Sequence, residues 1–123
     1  MPNTPLFEGK VAIVLGGSRG IGASTSLQLA KQGASVCVLA RSQEEVEGLV
    51  NTIRSEGGKA WGFIVNALVT KDLEDTFKKI HDTLGGIDIF INLVGGFSKF
   101  IPFEEISEEE WHRVLNLNLR SVF

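Results

Sequence analysis

The sequence has no tyrosine, a single cysteine, no long apolar run and no cluster of basic residues. The lone Cys37 excludes an internal disulfide bond, and its place within an apolar run favours a small buried residue in a reducing compartment. No apolar stretch approaches the ~20 residues that span a bilayer. The first residues show neither the basic nor the apolar region of a secretory signal. We therefore expect a cytoplasmic protein without a membrane partner.

The charge balance is slightly acidic. Twelve Lys and Arg residues against fifteen Asp and Glu residues give a net charge of −3. Because nucleic acids attract clustered positive charge, nucleic acid is not an expected partner. With 43% hydrophobic residues, the 123 residues can bury one core. We expect one domain at most, with a small molecule as its partner.

Apolar runs alternate with amphipathic segments along the chain. The predicted strands are Val11–Leu15, Ser35–Leu39, Trp61–Val65 and Ile87–Val94, and the predicted helices are Ile21–Gln32, Gln43–Glu56, Lys71–Leu84 and one that begins at Ser107. Strands that are almost continuously apolar are buried on both faces, and alternation with helices implies a parallel sheet covered on both sides. The predicted fold class is α/β, a doubly wound parallel sheet.

Two of the predicted helices begin with a capping signal. Ser42 is followed three residues later by Glu45, and Ser107 by Glu110, which is the capping-box spacing. Carboxylates in a first helical turn also complement the helix dipole. The acidic run that contains Glu110 is therefore predicted to be a helix start, and no metal site is expected because neither histidine has a second ligand at metal spacing.

Three glycines, Gly16, Gly20 and Gly22, lie between the first predicted strand and the first predicted helix. Residues without a Cβ permit a sharp turn and a close approach of the backbone to a ligand. The unpaired N–H groups and the positive dipole end of the following helix favour an anion such as a pyrophosphate. The spacing is G-x-x-x-G-x-G instead of the common G-x-G-x-x-G. It indicates a dinucleotide site, with a plain tight turn as the alternative.

Three ordered motifs together resemble the short-chain dehydrogenase/reductase family. They are the glycine turn Gly16–Gly22, the segment Ile87–Asn92 that leads to Gly95, and the segment Trp111–Leu119. The resemblance covers the chain from Leu6 onward but only the N-terminal half of what the family has. It implies a Rossmann-like sheet of four strands in the order 3-2-1-4, with the cofactor across the carboxyl ends of strands one and four.

The resemblance also implies which residues border the cofactor. They are Gly16, Ser18, Arg19, Gly20, Ile21, Gly22, Arg41, Ser42, Asn66, Ala67, Asn92 and Gly95. Asn66 replaces an aspartate that accepts a hydrogen bond from the adenine amino group, and an amide carbonyl can accept the same bond. A turn residue at the end of a strand is the alternative for Asn66. Leu15 and Leu93 stand where the family has polar residues, so an apolar contact is expected to replace a polar tie between the two loops.

The end of the second predicted strand bears on the choice of cofactor. An acidic residue there would hold the ribose 2′-hydroxyl of NAD and repel the 2′-phosphate of NADP. This chain has Ala40, followed by Arg41 and Ser42. Arg41 and Arg19 supply guanidinium groups suited to a phosphate. NADP(H) is the predicted cofactor, and two solvated arginines are the alternative.

The family transfers a hydride between the nicotinamide and a carbonyl or alcohol, with a Tyr-x-x-x-Lys pair and a serine that hold the substrate oxygen. This chain has no tyrosine. Asn118 matches the family's catalytic asparagine. The chain stops at Phe123 inside a predicted helix without a stop signal. We expect residues 1–123 to be a truncated dinucleotide-binding half-domain that is inactive alone.

Two functions from different classes stay open on this basis. The first is the N-terminal part of an NADP(H)-dependent oxidoreductase whose full-length form acts on a small carbonyl or alcohol. The second is a non-catalytic NADP-binding sensor or regulatory partner subunit. In the isolated chain the strand Ile87–Val94 lacks the next strand and has an open edge, which predicts a homo-oligomer or self-association.

Overall fold

The structure, a computed structural model, describes residues 5–16, 18–94 and 102–119. Strands and helices alternate in these ranges, as predicted. The strands are β1 (Val11–Leu15), β2 (Ser35–Ala40), β3 (Lys59–Ile64) and β4 (Ile89–Asn92). The helices are α1 (Gly20–Lys31), α2 (Gln43–Ser55), α3 (Thr70–Leu84) and α4 (Glu108–Asn118), and a short 3-10 turn, Phe103–Glu105, precedes α4.

The four strands form one parallel sheet in the order β3-β2-β1-β4. At its centre, Ile13 of β1 pairs with Cys37 of β2 on one side and with Phe90 of β4 on the other. Parallel neighbours need crossover connections, and α1, α2 and α3 supply them. The expected α/β class, Rossmann-like sheet and strand order 3-2-1-4 are confirmed.

The predicted bounds of β3 and β4 were wrong. β3 covers Lys59–Ile64 and not 61–65, because its pairing with β2 begins at the first residue of that strand, where Lys59 is opposite Ser35. β4 covers only Ile89–Asn92, because it can pair only along the length of β1. The last residue of β1, Leu15, pairs with Asn92, the last residue of β4. The bounds of α1, α2, α3 and β2 differ from the predicted ones by a single residue.

One face of the sheet packs against α1 and α2. Alternate strand residues point to this face, and they form a buried core with the apolar stripe of α2. The core includes Ala12, Val14, Val36, Val38, Val46, Leu49, Val50 and Ile53. Gly62 of β3 permits this packing, since a Cβ added there would lie 2.5 Å from Cγ1 of Val46.

The expectation that all strands are buried on both faces holds for β1 and the centre of β2 but is wrong for β3 and β4. These two strands are the edges of the sheet, and Phe90 of β4 is 47% exposed. Helix α3 covers part of the sheet face opposite to α1 and α2. Its Ile80 is fully buried, and the ring of Phe77 lies 5.5 Å from that of Phe90 in an edge-on arrangement.

Cys37 lies at the centre of β2 and is fully buried, as the sequence predicts. Burial in this apolar environment disfavours the thiolate and raises the pKa of the Cys37 thiol from 9.0 to about 12. At neutral pH this residue therefore packs as a small apolar side chain.

The chain divides after Leu93 into two compact units, of which the first holds the sheet with α1, α2 and α3 and the second holds α4. In the second unit, Oγ of Ser107 accepts a hydrogen bond of 3.1 Å from the Glu110 N–H, so the predicted cap is confirmed. The guanidinium of Arg113 donates to the Glu110 carboxylate at 2.7 Å. Within the ranges given above, no helix is long and apolar enough to cross a membrane.

Candidate functional site

The glycine turn joins the carboxyl end of β1 to α1 and requires glycine at two positions. Gly16 has a φ of +83° and Gly20 a φ of +57°, which residues with a Cβ rarely adopt. The Gly16 N–H donates to the carbonyl of Leu39 at 2.7 Å, so the turn is also tied to β2. Among the residues that the structure describes, nothing lies within 4 Å of a Cβ added at Gly20. The turn therefore borders open space.

The first turn of α1 is suited to an external anion. Its N-cap residue, Arg19, makes no side-chain capping bond, and the first turn contains no acidic residue. The other three described helices each carry an acidic residue in their first turn. The first N–H groups of any helix have no intrahelical partner and concentrate the positive end of its dipole. At α1 the chain supplies no carboxylate from the helix itself to complement them.

Three side chains link the glycine turn to the start of α2. Oγ of Ser18 donates to Oε2 of Glu45 at 3.0 Å, and Nη1 of Arg19 lies 3.9 Å from Oε1 of the same carboxylate. The Glu45 N–H donates to Oγ of Ser42 at 3.3 Å, which confirms the predicted cap of α2. The Arg19 side chain is 84% exposed, and that of Glu45 is 38% exposed.

Arg41 follows the last residue of β2 and is exposed. No residue in the described ranges forms an ion pair with it. Ala40, where an acidic residue would select NAD, is partly buried at the end of the strand. Both predicted phosphate-binding guanidinium groups thus follow the carboxyl ends of the central strands and are accessible to a ligand.

Asn66 comes just after β3 and forms a local turn. Its Oδ1 accepts a hydrogen bond of 3.0 Å from the Leu68 N–H, and its backbone carbonyl accepts one of 2.9 Å from Val69. The turn alternative is therefore realised. A carbonyl oxygen has two lone pairs, so Oδ1 can accept a second donor, and the contact of Asn66 and Ala67 with adenine stays a prediction.

The end of β4 lies beside the glycine turn. Asn92 pairs with Leu15, and the Leu93 N–H donates to the carbonyl of Leu15 at 2.8 Å. This link is a backbone hydrogen bond, and the Leu93 side chain is 38% exposed. The expected apolar exchange between the two loops stays a hypothesis.

Two predicted site residues, Gly95 and Asn118, come after β4 in the sequence. Gly95 lies outside the described residues. Asn118 is the last residue of α4, in the second compact unit. The catalytic assignment of Asn118 is a prediction that these observations do not address.

The other predicted cofactor residues follow the carboxyl ends of parallel strands, which meet at one edge of a sheet. Gly16, Ser18, Arg19, Gly20, Ile21 and Gly22 follow β1, Arg41 and Ser42 follow β2, Asn66 and Ala67 follow β3, and Asn92 ends β4. Open parallel sheets bind ligands in the crevice at this edge, where the strand order reverses. The reversal here is between β1 and β4.

Sequence reasoning missed the contacts of Glu45. The spacing of Ser42 and Glu45 indicated a local cap and gave no signal that the carboxylate reaches Ser18, 27 residues away in the sequence. Within the described part of the chain, no group of three or more His, Cys, Asp or Glu side chains could hold a metal ion.

A sequence model of the family described as short chain dehydrogenase matches residues 10–123. The chain belongs to the short-chain dehydrogenase/reductase family. Cyclohexanol dehydrogenase of Acinetobacter sp. (strain SE19) is 36% identical to this chain over 117 residues, which are 95% of this chain and 47% of that protein.

Solved structures of the same family have a similar fold. A short-chain dehydrogenase/reductase from Serratia marcescens BCRC 10948 matches with a TM-score of 0.88 and 34% identity, over 95% of this chain and 48% of that one. Actinorhodin polyketide ketoreductase, solved with NADPH, has a TM-score of 0.87 and 28% identity over 93% of this chain and 43% of its own. The chain therefore spans about half the length of the relatives it matches.

The residues at this edge of the sheet fit a nicotinamide dinucleotide, the cofactor type of the family. The pyrophosphate needs backbone N–H donors and room for close approach, and the open space beside Gly20 and the start of α1 provide both. Arg19 at the start of α1 and Arg41 after β2 are exposed, and their guanidinium groups could hold an anionic group of the adenosine half.

Proposed function

We propose that this chain is the NADP(H)-binding N-terminal part of a short-chain oxidoreductase. The observation that carries the proposal is the start of α1, a glycine turn with no acidic residue of its own in the first helical turn, together with two exposed arginines, Arg19 at that start and Arg41 directly after β2. A carboxylate at the end of β2 would favour NAD, and Ala40 stands there instead.

Each part of the cofactor has a set of residues in this proposal. The backbone of Gly16, Gly20, Ile21 and Gly22 binds the pyrophosphate, and Ser18, Arg19, Arg41 and Ser42 bind the 2′-phosphate. Asn66 and Ala67 contact the adenine, while Asn92 and Gly95 border the nicotinamide half. Guanidinium groups suit phosphate because their planar N–H donors form charge-assisted hydrogen bonds, each of which contributes about 1.5–3 kcal/mol.

The reaction we propose for the full-length protein is hydride transfer between the bound nicotinamide and a small carbonyl or alcohol. The cofactor supplies or accepts the hydride. The names of two relatives, a cyclohexanol dehydrogenase and a polyketide ketoreductase, support an alcohol or ketone as the substrate class. Asn118 would help to position a proton-relay water. A general acid must lie within hydrogen-bond reach of the substrate oxygen, and this chain has no tyrosine to serve as one.

Isothermal calorimetry with NADP⁺ and NAD⁺ tests the cofactor assignment. We expect NADP⁺ to bind about tenfold more tightly or better, and Arg41→Gln to remove most of that difference without weakening NAD⁺. Lys31→Gln is the matched control, because Lys31 is at the far end of α1. Equal affinity of the native chain for the two cofactors would contradict the NADP assignment.

A turnover assay tests the catalytic part of the proposal. The purified chain is expected to reduce no ketone or aldehyde with NADPH, since loss of general acid help alone costs ~10²- to 10⁴-fold in rate. Reduction that requires NADPH and disappears in Gly20→Val would show that the chain holds a catalytic group outside our assignment.

A non-catalytic NADP-binding sensor or regulatory subunit is the second candidate, and the same glycine turn and exposed arginines support it. Both candidates bind NADP(H), and they differ in the coding sequence beyond Phe123. A coding sequence that continues with a serine and a Tyr-x-x-x-Lys segment supports the enzyme, and a stop codon directly after Phe123 supports the binding module.

We also propose that the chain self-associates in the cytoplasm through the edge of β4. In the described ranges β4 pairs only with β1, and Phe90 on it is 47% exposed. An open strand edge with exposed apolar side chains recruits a second strand. Light-scattering chromatography at micromolar concentration is expected to show dimers or larger species, and a stable monomer would contradict the proposal.

A further inference from the structure

The Glu45 carboxylate occupies donors that the proposed cofactor would need. Its Oε2 accepts a hydrogen bond of 3.0 Å from Oγ of Ser18, and its Oε1 lies 3.9 Å from Nη1 of Arg19. Both donors belong to the glycine turn and both are in the set proposed for the 2′-phosphate. A carboxylate, like a phosphate, is an anion that accepts hydrogen bonds through several oxygens.

This arrangement departs from an ordinary capping box. In such a box the glutamate at the third helical position reaches back to the backbone N–H of the cap residue. Here Ser42 accepts from the Glu45 N–H at 3.3 Å, which is half of the box. The carboxylate itself turns across to the loop after β1. Its neighbour Glu44 is exposed on the same helical turn.

We propose that Glu45 is an intrachain competitor of the cofactor's 2′-phosphate and thereby a specificity-determining residue. The inference rests on the proposed NADP(H) function. In the free chain the carboxylate accepts the hydrogen bond of the Ser18 hydroxyl and forms an ion pair with the Arg19 guanidinium. A hydroxyl has one hydrogen to donate, so Ser18 serves either Glu45 or the phosphate.

Electrostatics adds to this competition. When the 2′-phosphate approaches Arg19, it also approaches the negative charge of Glu45. Two like charges a few ångströms apart repel each other several times more strongly near a protein surface than in bulk water, because the effective dielectric constant is lower there. NAD lacks the 2′-phosphate and does not encounter this repulsion. Glu45 therefore lowers the preference for NADP below what the two arginines alone would give.

The test uses Glu45→Gln, which removes the charge and keeps the length of the side chain. The probes are 2′,5′-ADP, which carries the 2′-phosphate, and 5′-ADP, which lacks it, with NADP⁺ and NAD⁺ as the full cofactors. We expect calorimetry to show about tenfold tighter binding of 2′,5′-ADP and NADP⁺, and a change below about twofold for 5′-ADP and NAD⁺.

Glu44→Gln is the matched control, because it removes the same charge from the same helical turn. It is expected to change the affinity for 2′,5′-ADP by less than about twofold. In an Arg19→Gln background the gain from Glu45→Gln should be smaller, because the carboxylate then competes for Ser18 alone. Added salt should also reduce the gain, since Glu45 is partly exposed.

Circular dichroism establishes that each variant is folded, and Glu45→Ala provides the same test if Glu45→Gln is not. The inference fails, while the proposed function stands, if the native chain prefers NADP⁺ and both Glu45 variants bind 2′,5′-ADP no more tightly than it does. If neither the native chain nor a folded Glu45 variant binds 2′,5′-ADP, both proposals are overturned. Binding that appears only in the Glu45 variants supports the competition.

Discussion

The N-termini of α1 and α2 lie at the same edge of the sheet and are built in opposite ways. Helix α2 begins with a serine cap and has Glu44 and Glu45 in its first turn. Helix α1 begins after Arg19 with no side-chain cap and no acidic residue. A capped, acidic start stabilises its own helix. The start of α1 lacks that stabilisation, and we propose that its N–H donors bind an external anion.

The contrast separates a helix start that stabilises itself, in α2, from one that we propose for binding, in α1. The two helices share a sheet face and a core, so packing alone does not distinguish them. The two helix N-termini differ at only a few residues, so single substitutions can make one resemble the other.

The largest effect is expected when α1 is given the acidic start of α2. Ile21 is at the second helical position, the position that Glu44 has in α2, and is 76% exposed. Ile21→Glu would place a carboxylate beside the pyrophosphate and weaken both NADP⁺ and NAD⁺ by about thirtyfold. Gln28→Glu, later in the same helix, is the control for added charge. Calorimetric affinities within a few-fold of the native ones would show that the lack of an acidic residue at the start of α1 does not matter for cofactor binding.

The next effect concerns the cofactor preference. Ala40→Asp places a like charge beside the 2′-phosphate and gives the ribose 2′-hydroxyl of NAD an acceptor. We expect the preference to reverse, from about tenfold or more for NADP⁺ to a preference for NAD⁺. Ala40→Asn keeps the size without the charge and should reverse it less. Competition binding with both cofactors measures the ratio, and an unchanged ratio in Ala40→Asp would refute the assignment of this strand end.

The cap of α2 provides a stability test. Ser42→Ala removes the acceptor of the 3.3 Å bond from the Glu45 N–H. The expected loss is about 1 kcal/mol in the free energy of unfolding, measured by urea denaturation. Arg41→Ala, one residue earlier and exposed, is the control. A loss as large in Arg41→Ala as in Ser42→Ala would mean that the cap does not stabilise α2.

The smallest effect is expected from adding a cap to α1. Arg19 is the N-cap residue and has an extended backbone with φ −153° and ψ 167°, which suits a serine. Arg19→Ser should raise the free energy of unfolding by about 0.5 kcal/mol, because a capping bond outweighs one exposed ion pair. The same variant should weaken NADP⁺. A variant that loses stability would show that the Arg19 to Glu45 pair matters more than the missing cap.

Much of this architecture could be predicted from local patterns in the sequence. Both capping serines, Ser42 and Ser107, form the bonds that their spacing predicted. The strand order followed from the resemblance of the motifs to one family. Strand ends were harder, because the polar Lys59 enters β3 only through its pairing with β2.

The candidate site was predictable in its backbone and less so in its side chains. The glycine turn could be predicted because a positive φ at Gly16 and Gly20 favours glycine at these positions. No sequence pattern predicted the hydrogen bond of Glu45 with Ser18 or its ion pair with Arg19. They depend on how the start of α2 lies against the turn after β1, and no periodicity in a single sequence encodes that placement.

Cys37 gives the chain its own reporter of opening. The residue pairs with Ile13 and with Trp61 at the middle of the sheet. Its thiol is sealed from solvent, and its pKa is raised to about 12. An alkylating reagent can reach this thiol only when the central strands separate. The alkylation rate of the native chain therefore reports how often the sheet centre opens. A cofactor that binds at the strand ends should stabilise the closed sheet and lower this rate.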